Sequence, residues 1–125
     1  MKRRNTTRRY PRTARLNTLV HQIVAEELER IDDERLELVT ITSVVVDGDL
    51  SRAVAYYDHS HGEESDEAVQ EALDELRPRV QREVGRQATI KRTPELRFEP
   101  DGVLREALRI DDVLRELKAA EGDDS

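Results

Sequence analysis

Arg79, Arg82 and Arg86 recur at steps of three and four residues, the spacing that puts side chains on one face of a helix. Arg77 precedes them, and Lys91 and Arg92 follow. A guanidinium pairs bidentately with a phosphate, so this row offers polyanion binding, with backbone amides at an interrupted helix as further donors. Without a partner the same row is a solvated helix face. A second cationic set stands at the N-terminus, where Arg3, Arg4, Arg8, Arg9 and Arg12 lie among Thr, Asn and Pro, with no acid among residues 1–15. Such a segment attracts nucleic acid by releasing counterions and reads no sequence. It lacks the apolar face that a membrane-surface helix needs.

Other groups point to less. His59 and His61, with Asp58, Glu63 and Glu64, are ligand types for a metal. They sit in a polar stretch with no clear further ligand, which reads as a solvated loop. His21 lies at the edge of a helix face and reads as structural. Asp32, Asp33, Glu34, Asp111 and Asp112 could be imagined as paired carboxylates, but nothing places them with a base or nucleophile. Asp32 and Asp33 fit a helix exit, and Asp111 and Asp112 a helix start. No phosphate-binding loop, G-x-S-x-G or dinucleotide fingerprint is present. The chain has no cysteine, which excludes disulfides, thiolate metal sites and cysteine nucleophiles. No catalytic residue, metal or cofactor is expected, nor a small-molecule substrate.

The elements that must carry the arginines follow from composition and pattern. A chain of 125 residues allows one domain with a modest core. Aromatics make up 3% of it, with one Phe and no Trp, so rows of stacked bases are not its mode of recognition. The net charge of −7 is unevenly spread: residues 1–15 carry +7, 16–75 carry −14, 76–97 carry +5 and 98–125 carry −5. A polyanion responds to the local patch and not to the total. No apolar stretch is long enough to span a membrane, and none follows the basic N-terminus as a secretory signal would. A cytoplasmic protein is expected.

Residues 1–14 read as a disordered basic arm, since like charges repel and nothing apolar is there to bury. Leu16, Leu19, Val20, Ile23, Val24, Leu28 and Ile31 then form one apolar helix face. Leu36 to Asp47 is dense in β-branched residues and predicts a strand. Asp47-Gly48-Asp49 is a turn whose glycine can take positive φ. Arg52 to Asp58 alternates, with Ala53, Ala55 and Tyr57 on one side, and completes an antiparallel hairpin. Ser65 is a helix N-cap. The helix carries Val69, Ala72, Leu73 and Leu76, meets a kink or break near Arg77-Pro78, and goes on through Val80 and Val84 to a cap at Gly85. Ala88 to Glu99 predicts a third strand, with Pro94 at an edge or bulge. A last helix carries Leu104, Leu108, Ile110, Val113, Leu114 and Leu117, and an acidic tail frays from Glu121.

Four stretches resemble the ribosome-binding factor A family. They are Leu36-Glu37-Leu38-Val39-Thr40-Ile41-Thr42-Ser43-Val44, Asp49-Leu50-Ser51-Arg52-Ala53, Arg92-Thr93-Pro94-Glu95-Leu96-Arg97-Phe98 and Arg109-Ile110-Asp111-Asp112-Val113-Leu114. The resemblance implies an α+β, KH-like fold of type II order (α-β-β-α-β) with a three-stranded sheet and a C-terminal helix. It also implies a helix–kink–helix in place of the GXXG loop. The family's Ala-x-Gly at the kink is Leu76-Arg77-Pro78 here, and proline makes a kink by another route. It further implies binding to the immature small ribosomal subunit, help in maturing the 5′ end of its rRNA, growth at low temperature, and no catalysis. The expected organisation is a basic arm over 1–14, an RNA-binding domain over 15–118 and an acidic tail over 119–125. The expected protein is a monomer that partners the small subunit and its rRNA, and no membrane. The other reading is a protein–protein adaptor whose acidic face docks a basic partner.

Overall fold

β-Branched residues in an alternating pattern set the sheet. In the computed structural model, which describes residues 2–88 and 92–123 and side chains over 13–88 and 92–121, β1 (Val39–Val46) pairs antiparallel with β2 (Arg52–His59). β2 pairs parallel with β3 (Glu95–Pro100), giving the order β1-β2-β3. Ala53, Ala55 and Tyr57 are buried on one side of β2, as their alternation predicts. β1 slips register between Ile41 and Ser43. A bulge re-aims the side chains beyond it, so Ile41, Val44 and Val46 are the buried ones. The hairpin turn closes with Asp47 N–H on Arg52 O and Leu50 N–H on Asp47 O, both 2.9 Å. Its left-handed residue is Leu50, at φ 63°, and not Gly48. Asp49 supports the turn by accepting from the Ser51 N–H and hydroxyl.

Two helices cover one face of the sheet. α1 (Lys2–Glu29) supplies Val20, Ile23 and Val24, and α2 (Asp66–Gln87) supplies Val69, Ala72, Leu73, Val80 and Val84. Leu96 and Phe98 of β3 complete the core. The α-β-β-α-β order is the expected one. Leu36 belongs to a short turn of 3-10 helix, Glu34–Leu36, so β1 starts later than its composition predicts.

The chain departs from its local signals in several places. The backbone of the basic arm is helical from Lys2, where the composition predicts disorder through residue 14. Extending a helix already nucleated by packed residues from Leu16 onward costs less than starting one, and Lys and Arg are good helix formers. α2 is one continuous helix with the exposed Pro78 inside it, not two pieces. Interior proline costs about 3 kcal/mol; Leu73 on one side and Val80 on the other are fully buried in one core and offset it. Gly85 lies within α2, and the C-cap is Ala88, whose N–H bonds Val84 O at 2.9 Å. Pro94 immediately precedes the edge strand β3, buried and outside the ladder, so the strand begins at Glu95 and not near Ala88.

α3 (Gly102–Asp123) continues into the acidic tail, where the sequence predicts fraying from Glu121. Asp111 and Asp112 lie inside it, ion-paired with Arg115, and do not begin a helix. Asp101 caps it, accepting Leu104 N–H at 2.9 Å and the Thr42 hydroxyl at 2.5 Å. Arg105 then reaches back to Asp66, at 2.9 and 3.0 Å, and to Asp58 at 3.3 Å. The Thr42 hydroxyl holds the Asp101 carboxyl below the usual range, and Arg105 does the same for Asp66. Carboxyls with depressed folded-state pKa values stabilise above their ordinary range, and the contribution is lost as pH falls through the folded-state value. The attachment of α3 is therefore expected to hold at neutral pH and to loosen below the ordinary aspartate value of 3.8. Methyl NMR of Leu104 and Leu108 across that range checks it; shifts that stay flat below it would show that these bonds do not hold the helix.

Candidate nucleic-acid interface

The arginine row sits on the second half of α2, where that helix lies beside the C-terminal end of α1. Arg79, Arg82 and Arg86 are exposed, and Arg77 is half-buried. Their environments differ. Arg79 Nε donates to Glu27 Oε1 at 2.9 Å, and Arg30 donates to Glu27 Oε2 at 3.3 Å. Glu27 is an acid with only 4% of its side chain accessible. A buried carboxylate must be paired, so Arg79 is first a partner of Glu27. Arg86 forms a fork on Glu83, at 2.8 Å from Nη2 and from Nε, and its guanidinium pulls the Glu83 carboxyl down to about 2. Glu83 is therefore charged at neutral pH and cancels part of Arg86. Arg82 makes no ion pair among the described residues, so of the three arginines in this row it is the one whose charge no acid offsets.

The segment before β3 is fastened to this helix. Gln81 donates to Pro94 O at 2.6 Å and accepts Leu96 N–H at 2.7 Å. Gly85 lets the chain come close: a Cβ there would stand 2.9 Å from Thr93 Oγ1. These contacts bring Arg92, which is exposed, against the helix that carries Arg82 and Arg86. Arg30 and the exposed Arg97 are two further cations that the sequence reading passes over. The signal for Arg30 is its place one turn beyond a helix face that ends at the α2 contact.

The remaining expected residues fall elsewhere. Lys91 lies outside the described residues. Arg3, Arg4, Arg8, Arg9 and Arg12 are on the first turns of α1 by backbone, and their side chains are outside the described ones. The histidines are not a solvated loop. His59 has 1% of its side chain accessible and bonds Asp66 Oδ1 at 2.7 Å. Its Nδ1 accepts the His61 N–H at 3.2 Å, so the Nε2 is the donor toward Asp66. His61 bonds the Glu37 carbonyl, and His21 the Ile41 carbonyl at 2.8 Å. Among the described residues no group of three or more His, Asp or Glu side chains is arranged to hold a metal ion. No helix among them is long and apolar enough to cross a membrane.

The sequence profile of ribosome-binding factor A matches residues 12–114. The chain belongs to the ribosome-binding factor A family. A ribosome-binding factor A of Rubrobacter xylanophilus is 40% identical over 113 residues, covering 90% of this chain and 92% of that protein. The crystal structure of ribosome-binding factor A from Thermus thermophilus superposes with a TM-score of 0.64 at 28% identity, over 70% of this chain and 94% of that one. Coordinates of a Thermus thermophilus ribosome-binding factor A homology model, fitted into a cryo-EM map of a 30S complex, give a TM-score of 0.57 at 28% identity, over 66% and 88%. The family's name denotes ribosome binding and no enzyme class. The match begins inside α1 and ends inside α3, so the cationic turns before residue 12 and the last turns of α3 lie beyond it.

Proposed function

We propose that this chain binds the immature small ribosomal subunit as an assembly factor and assists maturation of the 5′ end of its rRNA. The carrying observation is the superposition on a family member fitted into a 30S map. The role is non-enzymatic, exercised in the cytoplasm by a KH-like domain acting as a monomer, and it matters most for growth in the cold. Arg82, Arg86 and Arg92 are the phosphate contacts, with Arg77 and Arg79 beside them, and Lys91 is a further contact. The acidic remainder keeps the protein off other RNA. Co-sedimentation with purified immature and mature subunits tests the reading: preferential retention on the immature ones is expected, together with 5′-extended rRNA precursor in cells lacking the protein. Equal or absent retention overturns it.

Arg3, Arg4, Arg8, Arg9 and Arg12 add non-specific affinity. The packed part of α1 starts at Leu16, so removing residues 1–14 spares the core. The deletion is expected to weaken binding to naked precursor rRNA and to flatten its dependence on salt. Six Lys and Arg are lost, and each phosphate contact contributes roughly 0.7–0.9 to the log–log slope, so the change is up to about 5. Titrations at several salt concentrations read it directly, and an unchanged slope removes the arm from the mechanism.

A further inference from the structure

α3 rests on the rest of the chain by its polar side. Arg105 is held by Asp66 and Asp58, and Arg109 by Glu63 at 3.1 Å. Val103, Ala107, Ile110, Leu114 and Leu117 recur at alternating steps of four and three. At 3.6 residues per turn their mean direction lies about 160° around the helix from Arg105. The ion pairs thus aim an aliphatic row away from the chain's own core. Val103 is 84% exposed and Leu117 57%, with Ile110, Val113 and Leu114 between them in the same state. A row with a period of 3.5 residues is the seam by which one helix packs on another, and aliphatic surface of this kind marks an interaction site.

The residues beside the seam say which helix fits. Glu106 and Asp111, the latter ion-paired with Arg115, flank its first half, Lys118 stands beside its second half and Glu121 ends it, while residues 119–125 hold acids and no base, so the balance around the seam is acidic. A parallel second copy would set Glu106 of one seam against Asp111 of the other. An antiparallel copy centred on Ile110 and Leu114 would bring the two Asp111 side chains together. RNA offers no aliphatic surface and is repelled by the acids. We propose that the outer face of α3 docks a basic amphipathic helix of another protein on the immature small subunit. This rests on the small-subunit reading above and adds to it a protein contact separate from the arginines of α2.

The test places a benzophenone side chain in place of Ile110 in the full chain, binds it to purified immature subunits, and irradiates. An adduct that survives ribonuclease and is destroyed by protease is expected. Its cross-linked peptide should be rich in Lys and Arg, with aliphatic residues at steps of three and four. Leu114→Glu with Leu117→Glu, both at exposed positions, should lower subunit affinity by roughly fivefold or more and leave affinity for naked precursor rRNA within about twofold. An adduct to RNA, an adduct between two copies, no adduct on subunits that carry the chain, or unchanged subunit affinity of the double variant overturns the proposal. Failure of the parent to sediment with subunits overturns the small-subunit reading, and this inference with it.

Discussion

Replacing Arg82 and Arg86 together by Glu is expected to reduce co-sedimentation with immature small subunits by roughly tenfold or more, because each change removes an attraction to phosphate and adds a repulsion. The two positions do not contribute equally. Arg82 has no acidic partner among the described residues, whereas Arg86 already spends its fork on Glu83. Arg82→Glu alone should therefore carry the larger share of the loss. Arg86→Glu also sets a new carboxylate beside Glu83, three residues away, and like charges at that spacing repel. Arg86→Gln keeps the surface without that repulsion and serves as the control for folding. The thermal midpoint of Arg82→Glu should stay within about 3 °C of the parent, as for surface substitutions in general. Sedimentation of each variant against increasing amounts of immature subunit, with the midpoint measured on the same preparation, checks both claims. A folded double variant that sediments like the parent would remove α2 from the interface and favour the adaptor reading.

How much of this was legible in the sequence depends on whether a feature is set by neighbours along the chain or by neighbours in space. The alternation of Ala53, Ala55 and Tyr57 is local and was legible; the same parity extends to His59, whose side chain is 1% accessible although its polar stretch reads as a solvated loop. The proline rule put Pro94 at an edge or bulge of the third strand, whereas it lies just before the edge strand β3 and outside the ladder. The continuity of α2 was not legible, since proline's local penalty is stated by the sequence, while the packing of Leu73 and Val80 that offsets it is long-range. The left-handed Leu50 in place of Gly48 is likewise a consequence of the closing bonds of the hairpin. For α3 the pattern announced an apolar face to be covered. Nothing local told that its basic side would be the one turned toward Asp58 and Asp66. In the arginine row, spacing put three side chains on one face, but it could not tell a cation facing solvent from one facing a buried acid.

That distinction sets the largest expected stability effect. Glu27 stands three or four residues from Ile23 and Val24 and seven from Val20, so it belongs to the buried face of α1 in the midst of Glu26 and Glu29, which do not. Arg79→Ala removes the 2.9 Å charge-assisted bond to it and leaves one buried carboxylate oxygen without that partner. Arg30 stays on the other oxygen at 3.3 Å and relieves part of the cost. A loss of about 1–3 kcal/mol is expected, against about 0.5 kcal/mol or less for Arg82→Ala. Glu27→Met replaces the buried charge by an apolar chain of similar length. Such replacements are often close to neutral, because the freed Arg79, with half its side chain accessible, turns to solvent. In the Glu27→Met background, Arg79→Ala should then cost almost nothing, and denaturant unfolding of the four proteins of this cycle gives the coupling directly. The same cycle reads function. Glu27→Met releases Arg30 and Arg79 from their acid and makes the α2 face more positive, so subunit binding should tighten while stability is kept. Additive stabilities, or weaker binding by Glu27→Met, would return Arg79 to the row of simple surface cations and leave Glu27 without the role of holding it.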